Sequence, residues 1–368
     1  MGLVQAAPSS SRVESLDILR GLMALAVAVY HLSIWTQLFD SGTELNRLVA
    51  LLGNYGVEGF FIISGFCFFH IYGETTWNRQ ALQSFHIKRF FRIAPLYYVA
   101  VLLNLILGQA RGPDPSARML VENFTLTFGL FHPNHALVLG GWSIGIEYVF
   151  YMAFPLLAWA TRRKAVLYLA TLALIALAVP WSFYKVQAAS MIGHTKFHTY
   201  VQIPNHAFLF FFGGLAAHIR SMTPKRLHWR LFLGLGILLL LTAWWQLPQF
   251  YDHFDILTGF YRARFAGLSA LVVLLFAFFE VPEGRYKRPL TLLGDWSYSV
   301  YLMHPFASQA LVHTLPTSIP APWIFLGSLA LTLGLAALTH TWIEKPAMAL
   351  GRRWAADLAK SPRTGHSE

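Results

Sequence analysis

Ten apolar stretches of about the length that crosses a bilayer constrain this chain more than any other feature. They lie at roughly 16–37, 48–72, 92–110, 141–160, 165–183, 204–221, 231–248, 257–280, 295–314 and 322–343. A helix of ~20 apolar residues spans the hydrocarbon core. Hydrophobic residues make up 56% of the chain and charged residues only 12%, and no polar run is long enough for a soluble domain. The expected fold class is therefore all-α, a polytopic integral membrane protein with about ten transmembrane helices. One membrane domain, 16–345, is expected between an N-terminal tail, 1–15, and a C-terminal tail, 346–368. Aromatics, Gly and internal Arg blur the ends of 204–221 and 257–280.

Basic residues set the expected orientation. With a cytoplasmic N-terminus, the connections on that side carry 20 of the 28 Lys and Arg, and the opposite side carries five. The remaining three, Arg20, Arg262 and Arg264, fall inside spans. Such a bias follows the positive-inside rule and puts both termini in the cytoplasm. It also accounts for most of the net charge of +11, with no nucleic-acid partner needed; contact with anionic lipid suffices. The single Cys67 forms no internal disulfide and offers no metal framework, so no metal is expected. The start MGLVQAAPSSSR lacks a cleavable signal layout and a myristoylation pattern.

Ionisable residues inside the spans are the exception to this apolar pattern. Arg20 and His31 both sit in the first span, eleven residues apart. At 3.6 residues per turn they share a helix face, roughly 16 Å apart along the axis. Charged groups in lipid mark cavities or reaction paths by default. Counting along each helix places His31 about 22 Å from the basic side, Glu58 and Glu147 about 21 Å, Arg264 about 24 Å and His304 about 14 Å. One level in the outer half of the bilayer is thus expected to gather a His, two carboxylates and one or two Arg. Arg262 belongs either to that level or to the outer interface.

A second level lies near the cytoplasm. Arg20 is about 6 Å into its span. Arg89 and Arg92, three apart in KRFFRIAPLYY, face one way on a helix. Arginine forks suit phosphate through charge-assisted hydrogen bonds. Two levels joined by one helix face suit a long ligand with a polyphosphate head in the cytoplasm and a reactive end near His31. Acyl-coenzyme A has that form.

Six motifs, in order, resemble the acyltransferase-3 family of integral membrane O-acyltransferases. LDILRGLMALAVAVYH is similar to the family's Arg-ten-residues-His helix, and YGVEGFFIISGF, 55–66, to its second-span signature. RFFRIAPLYY resembles the Arg-x-x-Arg segment, and WSIGIEYVFYMAFP, 142–155, the Trp-Ser-x-x-x-Glu helix. LGDWSYSVYLMHPF, 293–306, resembles the Ser-Tyr-x-x-Tyr-Leu-x-His helix, and WIEKPAM, 342–348, the closing Glu-x-Pro. Tyr148 departs from the family, where a second acidic residue is common. The resemblance covers 16 to about 350. It implies no appended esterase-like domain, because the chain stops at 368 with a polar tail.

The resemblance implies transfer of an acyl group, acetyl by expectation, from acetyl-CoA to a hydroxyl of a cell-surface or exported glycan or lipid-linked oligosaccharide. The expected location is the bacterial inner membrane. His31 is expected to take the hydroxyl proton, or to carry the acyl group in a two-step route, with Glu58 or Glu147 fixing its tautomer. Arg20, Arg89 and Arg92 are expected to hold the coenzyme's phosphates. Arg264, His304 and Trp142 are expected to contact the acceptor. Ser143 reads as a back-bonded helix Ser, and Ser297 and Tyr298 either as lining for coenzyme entry or as packing residues. A small-molecule acceptor such as a macrolide is the alternative within this chemistry. From another class, a proton-coupled transporter would use the same buried His and Glu.

Overall fold

The computed structural model describes residues 12–39, 43–107, 115–187, 193–223, 226–246, 255–316 and 318–360. Helices α1 Glu14–Trp35, α2 Glu44–Tyr72 and α3 Arg79–Ile106 come first. The short α4 Ala117–Thr125 and α5 Phe128–Phe131 lead into α6 Gly141–Ala160. Next, α7 Lys164–Pro180 runs into a π turn, Trp181–Val186, and is followed by α8 Gly193–Tyr200. Then come α9 Ala207–Met222, α10 Trp229–Gln246, α11 Gly259–Ala277, α12 Lys287–Asp295 and α13 Ser297–Thr314. Finally α14 Ala321–Thr339 passes through a second π turn, His340–Glu344, into α15 Lys345–Lys360. Among the described residues there is no β-strand, only an isolated bridge between Leu227 and Phe279.

Each apolar stretch of the sequence coincides with a helix. Among the described residues, eight helices are long and apolar enough to cross a membrane, and α9 is a shorter apolar one. The chain is a multi-pass, all-α membrane protein. Helix α13 is outside the eight for a physical reason: its Ser, Tyr and His residues from Ser297 to Ser308 are almost all buried. A helix packed inside a bundle meets protein rather than lipid, so its composition is free of the hydropathy constraint.

Local signals start several helices. Thr43, Asn78 and Ser116 each accept a hydrogen bond from the backbone N–H three residues on, and so cap α2, α3 and α4. Helix α2 lies at the centre, against α1, α9 and α11, while α13 packs on α1 and α14. Where α1 meets α12, a Cβ on Gly21 would lie 2.6 Å from the Gly294 nitrogen. That close approach sets Arg20 against the α12–α13 junction.

The expected C-terminal tail, 346–368, is helical as far as Lys360. Helix α15 lies along α3, with the Trp354 and Phe91 rings 5.2 Å apart. Gly351 and Ala355 are buried on its α3 side, while Leu350, Trp354 and Leu358 stay exposed.

The connection between α3 and α6 is pinned by Asn123. Its amide accepts from Tyr97 Oη at 2.6 Å and from Leu137 N at 3.0 Å, and donates to the His135 carbonyl at 2.8 Å. Burial pushes the neighbouring Glu122 carboxyl up, but hydrogen bonds from His135 and Arg118 and the nearby His132 hold it below the usual carboxylate range. The connection ends at Gly140, whose φ of 75° is left-handed. A Cβ there would also lie 2.8 Å from Tyr301 Oη, so glycine is required on both counts.

Candidate active site

A cavity of about 120 Å³ joins the two polar levels of the bundle. Arg20, Arg89, Arg92, Ser297 and Tyr298 line it, and so do Ser64, Ser143, Glu147, Tyr151 and Tyr301. Helices α1, α2, α3, α6 and α13 all contribute.

Its three arginines are not equivalent. Arg20 donates from Nε to Ser297 Oγ at 3.0 Å and from Nη2 to the Gly294 carbonyl at 3.3 Å, and pairs with Asp17. Arg89 lies over the Phe68 ring at 4.4 Å and donates to Tyr72 Oη at 3.2 Å, while its buried Nε makes no hydrogen bond. Arg92 differs from expectation. It donates to Glu344 Oε1 at 2.6 Å, and this buried carboxylate also accepts from Ser299 Oγ at 2.8 Å. The Glu of the closing Glu-x-Pro motif therefore neutralises the second Arg of Arg-x-x-Arg.

Farther along the cavity, Ser64 Oγ and Tyr151 Oη both donate to Glu147 Oε1, the latter at 2.5 Å. The cavity lining reaches Tyr301, which donates to the Gly140 carbonyl at 3.0 Å and meets Ser143 Oγ at 2.8 Å. Behind Tyr301 stands His304, with ring centroids 6.1 Å apart. His304 in turn meets His31, Nε2 to Nδ1, at 3.2 Å.

The two imidazoles fix each other's tautomers. His31 Nδ1 lies 3.0 Å from the Val27 carbonyl, and His304 Nδ1 lies 3.3 Å from the Val300 carbonyl. A carbonyl only accepts, so each Nδ1 carries a proton. His304 Nε2 then accepts from His31 Nδ1, and His31 Nε2 holds the lone pair. Trp35 stacks on both rings, at 5.2 Å from His31 and 5.8 Å from His304. The ring set against His31 is thus an imidazole, whereas a carboxylate was expected there.

Glu58 and Glu147 have other partners. Glu58 is wholly buried; Oε1 accepts from Arg262 Nη1 and, at 3.3 Å, from Tyr200 Oη. Arg262 also donates to Asn205 Oδ1 at 3.0 Å and to the Asn205 carbonyl at 2.5 Å. Arg264, expected to contact the acceptor, is exposed, and Arg262 is the one buried in the bundle. Two residues turn a helix through about 200°, so only one of the two can face the bundle. Trp142 is buried among Phe61, Tyr200 and His206 and packs the core. Ser143 bonds Gly140 as a helix Ser does, and also bonds Tyr301.

Sequence reasoning missed Trp35, Ser64, Tyr151 and Tyr301. Tyr301 had a signal: it lies three residues before His304, one turn away on the same helix face.

A bundle of membrane helices with a His pair packed between α1 and α13 and an arginine-lined cavity is the outline of an integral membrane acyltransferase. Residues 13–341 match the acyltransferase-3 family, an acyltransferase domain, and the chain belongs to that family. It is an O-acyltransferase. It is 26% identical to the acyltransferase MdmB of Streptomyces mycarofaciens over 97% of both chains. It is 25% identical to the peptidoglycan O-acetyltransferase OatA of Listeria monocytogenes, over 92% of this chain and 56% of that protein. Nodulation protein 10 of Rhizobium leguminosarum is 26% identical over 93% of this chain and 95% of its own length. No solved structure matches the chain.

Proposed function

We propose that the protein moves an acyl group, acetyl in the first instance, from acyl-CoA to a hydroxyl of a glycan. The coenzyme enters at the basic, cytoplasmic end, and the acceptor meets the acyl group near His31 from the opposite side. One observation carries this reading: a single cavity is lined both by Arg20 and Arg89 and by Tyr301, which abuts the His304–His31 pair. Relatives named as peptidoglycan O-acetyltransferases support acetyl as the group and a glycan as the acceptor class.

Each residue then has a task. Arg20 and Arg89 line the cavity and bind the phosphate oxygens there, the guanidinium fork favouring bidentate contact. Arg92 acts through Glu344, as a brace between α3 and the α14–α15 junction. At the far end, His31 Nε2 removes the acceptor's O–H proton while that oxygen attacks the thioester carbonyl. The C–O bond forms and the C–S bond breaks. Coenzyme A leaves as thiolate and takes the proton back from the His31 imidazolium. The Val27 carbonyl and His304 Nε2 stabilise that imidazolium through its Nδ1–H, the part a carboxylate plays in a triad. Glu147, with Ser64 and Tyr151, keeps a polar wall along the thioester's path.

The test is complementation of a deletion strain, with surface glycans measured by mass spectrometry. Wild-type protein should restore an O-acyl mass increment on the glycan, and His31→Ala should not. Restoration by His31→Ala would overturn the catalytic role, and unchanged glycans with acylated small molecules in the medium would overturn the acceptor.

A further inference from the structure

Glu122, His132 and His135 form a cluster that the acyl-transfer reading does not use. It stands on the α3–α6 connection, at the end of α3 away from Arg89. His132 Nδ1 lies 3.0 Å from Glu122 Oε1, and His135 Nδ1 lies 2.8 Å from Glu122 Oε2. Their rings stack 4.6 Å apart at 15°, so both Nδ1 atoms face one carboxylate. One ligand atom from each residue lies within 4.8 Å of the others.

We propose that this cluster is a binding site for a divalent transition-metal ion of the zinc type. Two imidazoles and one carboxylate are a zinc donor set, with a further position left for water. Bonds of ~2.05 Å at a tetrahedral centre put ligand atoms about 3.3 Å apart. The hydrogen-bonded distances of 2.8 and 3.0 Å need to open by only a few tenths of an ångström. Each neutral imidazole ligates through Nδ1, its single N–H proton moving to Nε2 by exchange with water, and the carboxylate is already in place. Glu122 is buried, and the His side chains are 32% and 24% exposed, so an ion can reach the site from water.

Arg118 competes for the same ligands. It donates to Glu122 Oε1 at 2.9 Å, and its Nη2 lies within 3.2 Å of both nitrogens of His132. Its side chain is 64% exposed and free to swing out. A metal here would clip together a connection that Asn123 already pins and that ends at Gly140, beneath Tyr301. The site is therefore a structural clip on the acceptor side, separate from the His31 chemistry.

The test uses the full-length protein in detergent, stripped with chelator and dialysed against zinc chloride. Elemental analysis should show one more zinc per chain in wild type than in His132→Ala/His135→Ala, and Arg118→Ala should bind zinc more tightly than wild type. Equal zinc in wild type and the double variant would overturn the site. A second measurement needs no variant. Zinc should slow diethylpyrocarbonate modification of His132 and His135, read by peptide mass spectrometry, without slowing that of exposed His228. Undiminished modification at both positions would overturn the proposal equally.

Discussion

The Arg262–Glu58 pair and the His31–His304 pair both bring ionisable side chains into the bundle, and the protein treats them in opposite ways. Arg262 is 3% exposed and Glu58 0%, and the guanidinium has three separate acceptors in Glu58 Oε1, Asn205 Oδ1 and the Asn205 carbonyl. The guanidinium and Glu58 Oε1 are matched where they stand, while the buried Glu58 Oε2 has no hydrogen-bond partner. His31 is only half-buried, and its one N–H is divided between a carbonyl and a second imidazole. Its ring stacks on Trp35. The ion pair ties helices together, whereas the imidazole pair is the proposed seat of proton transfer. The same contrast separates Arg92, neutralised by Glu344, from Arg89, which keeps a buried donor without an acceptor.

The strongest way to break this contrast is at His31. As the base, His31→Ala should fold and bind coenzyme yet lose about 10²–10⁴-fold in transfer rate. Retained activity in His31→Gln, which lacks a basic nitrogen, would remove it from the chemical step. His304→Ala should lower the rate less while donor affinity holds, because it acts only through His31 Nδ1. A loss confined to donor affinity would contradict that role.

At the other pole, Arg262→Ala should damage stability by about 3–5 kcal/mol, because it strands a buried carboxylate. Arg262→Leu combined with Glu58→Leu should recover much of that loss, since neither charge is then left alone. Thermal unfolding in detergent reads both. If the double variant folds normally but cannot transfer, the pair is catalytic and the contrast fails.

The arginines of the cavity should divide in the same manner. Arg20→Ala and Arg89→Ala should weaken acyl-CoA binding, each lost charged hydrogen bond being worth roughly 1.5–3 kcal/mol. Arg20→Lys should restore only part, as an ammonium lacks the fork. Arg92→Ala should instead lower the unfolding temperature, because Glu344 loses its cation. Equal loss of coenzyme affinity in all three would show that Arg92 leaves Glu344 to bind substrate.

These assignments separate what is legible in sequence from what is not. Helix positions were legible because hydropathy over ~20 residues is a local property. Helical rise converts residue number into an expected depth, but His304, counted about 8 Å shallower than His31, meets it at 3.2 Å. Depth does not give azimuth, so Glu58, Glu147 and His31 shared a level without sharing partners. Partners 204 to 273 residues apart in sequence, as in Arg262 with Glu58, Arg92 with Glu344 and His304 with His31, depend on how the helices turn against one another. Arg262 and Arg264 show the limit most plainly: both lie in one short run, and packing alone selects the one that faces inward.

The smallest expected effect sharpens the contrast most, because Tyr301 stands between the cavity and the His pair. Its hydroxyl joins Ser143 and the Gly140 carbonyl, while its ring edge meets His304. Tyr301→Phe keeps the ring and removes two neutral hydrogen bonds, each worth about 0.5–1.5 kcal/mol net. With the ring still seating His304, transfer per folded molecule should fall less than about tenfold, well short of the loss expected for a missing base. Tyr301→Ala removes the wall as well and should uncouple coenzyme binding from transfer, with affinity near normal and rate sharply reduced. If Tyr301→Phe alone lowered the rate as far as His31→Ala, the hydroxyl itself would be donating to the reacting carbonyl oxygen. The catalytic boundary would then lie at Tyr301 and Ser143, one ring nearer the cavity than the His pair.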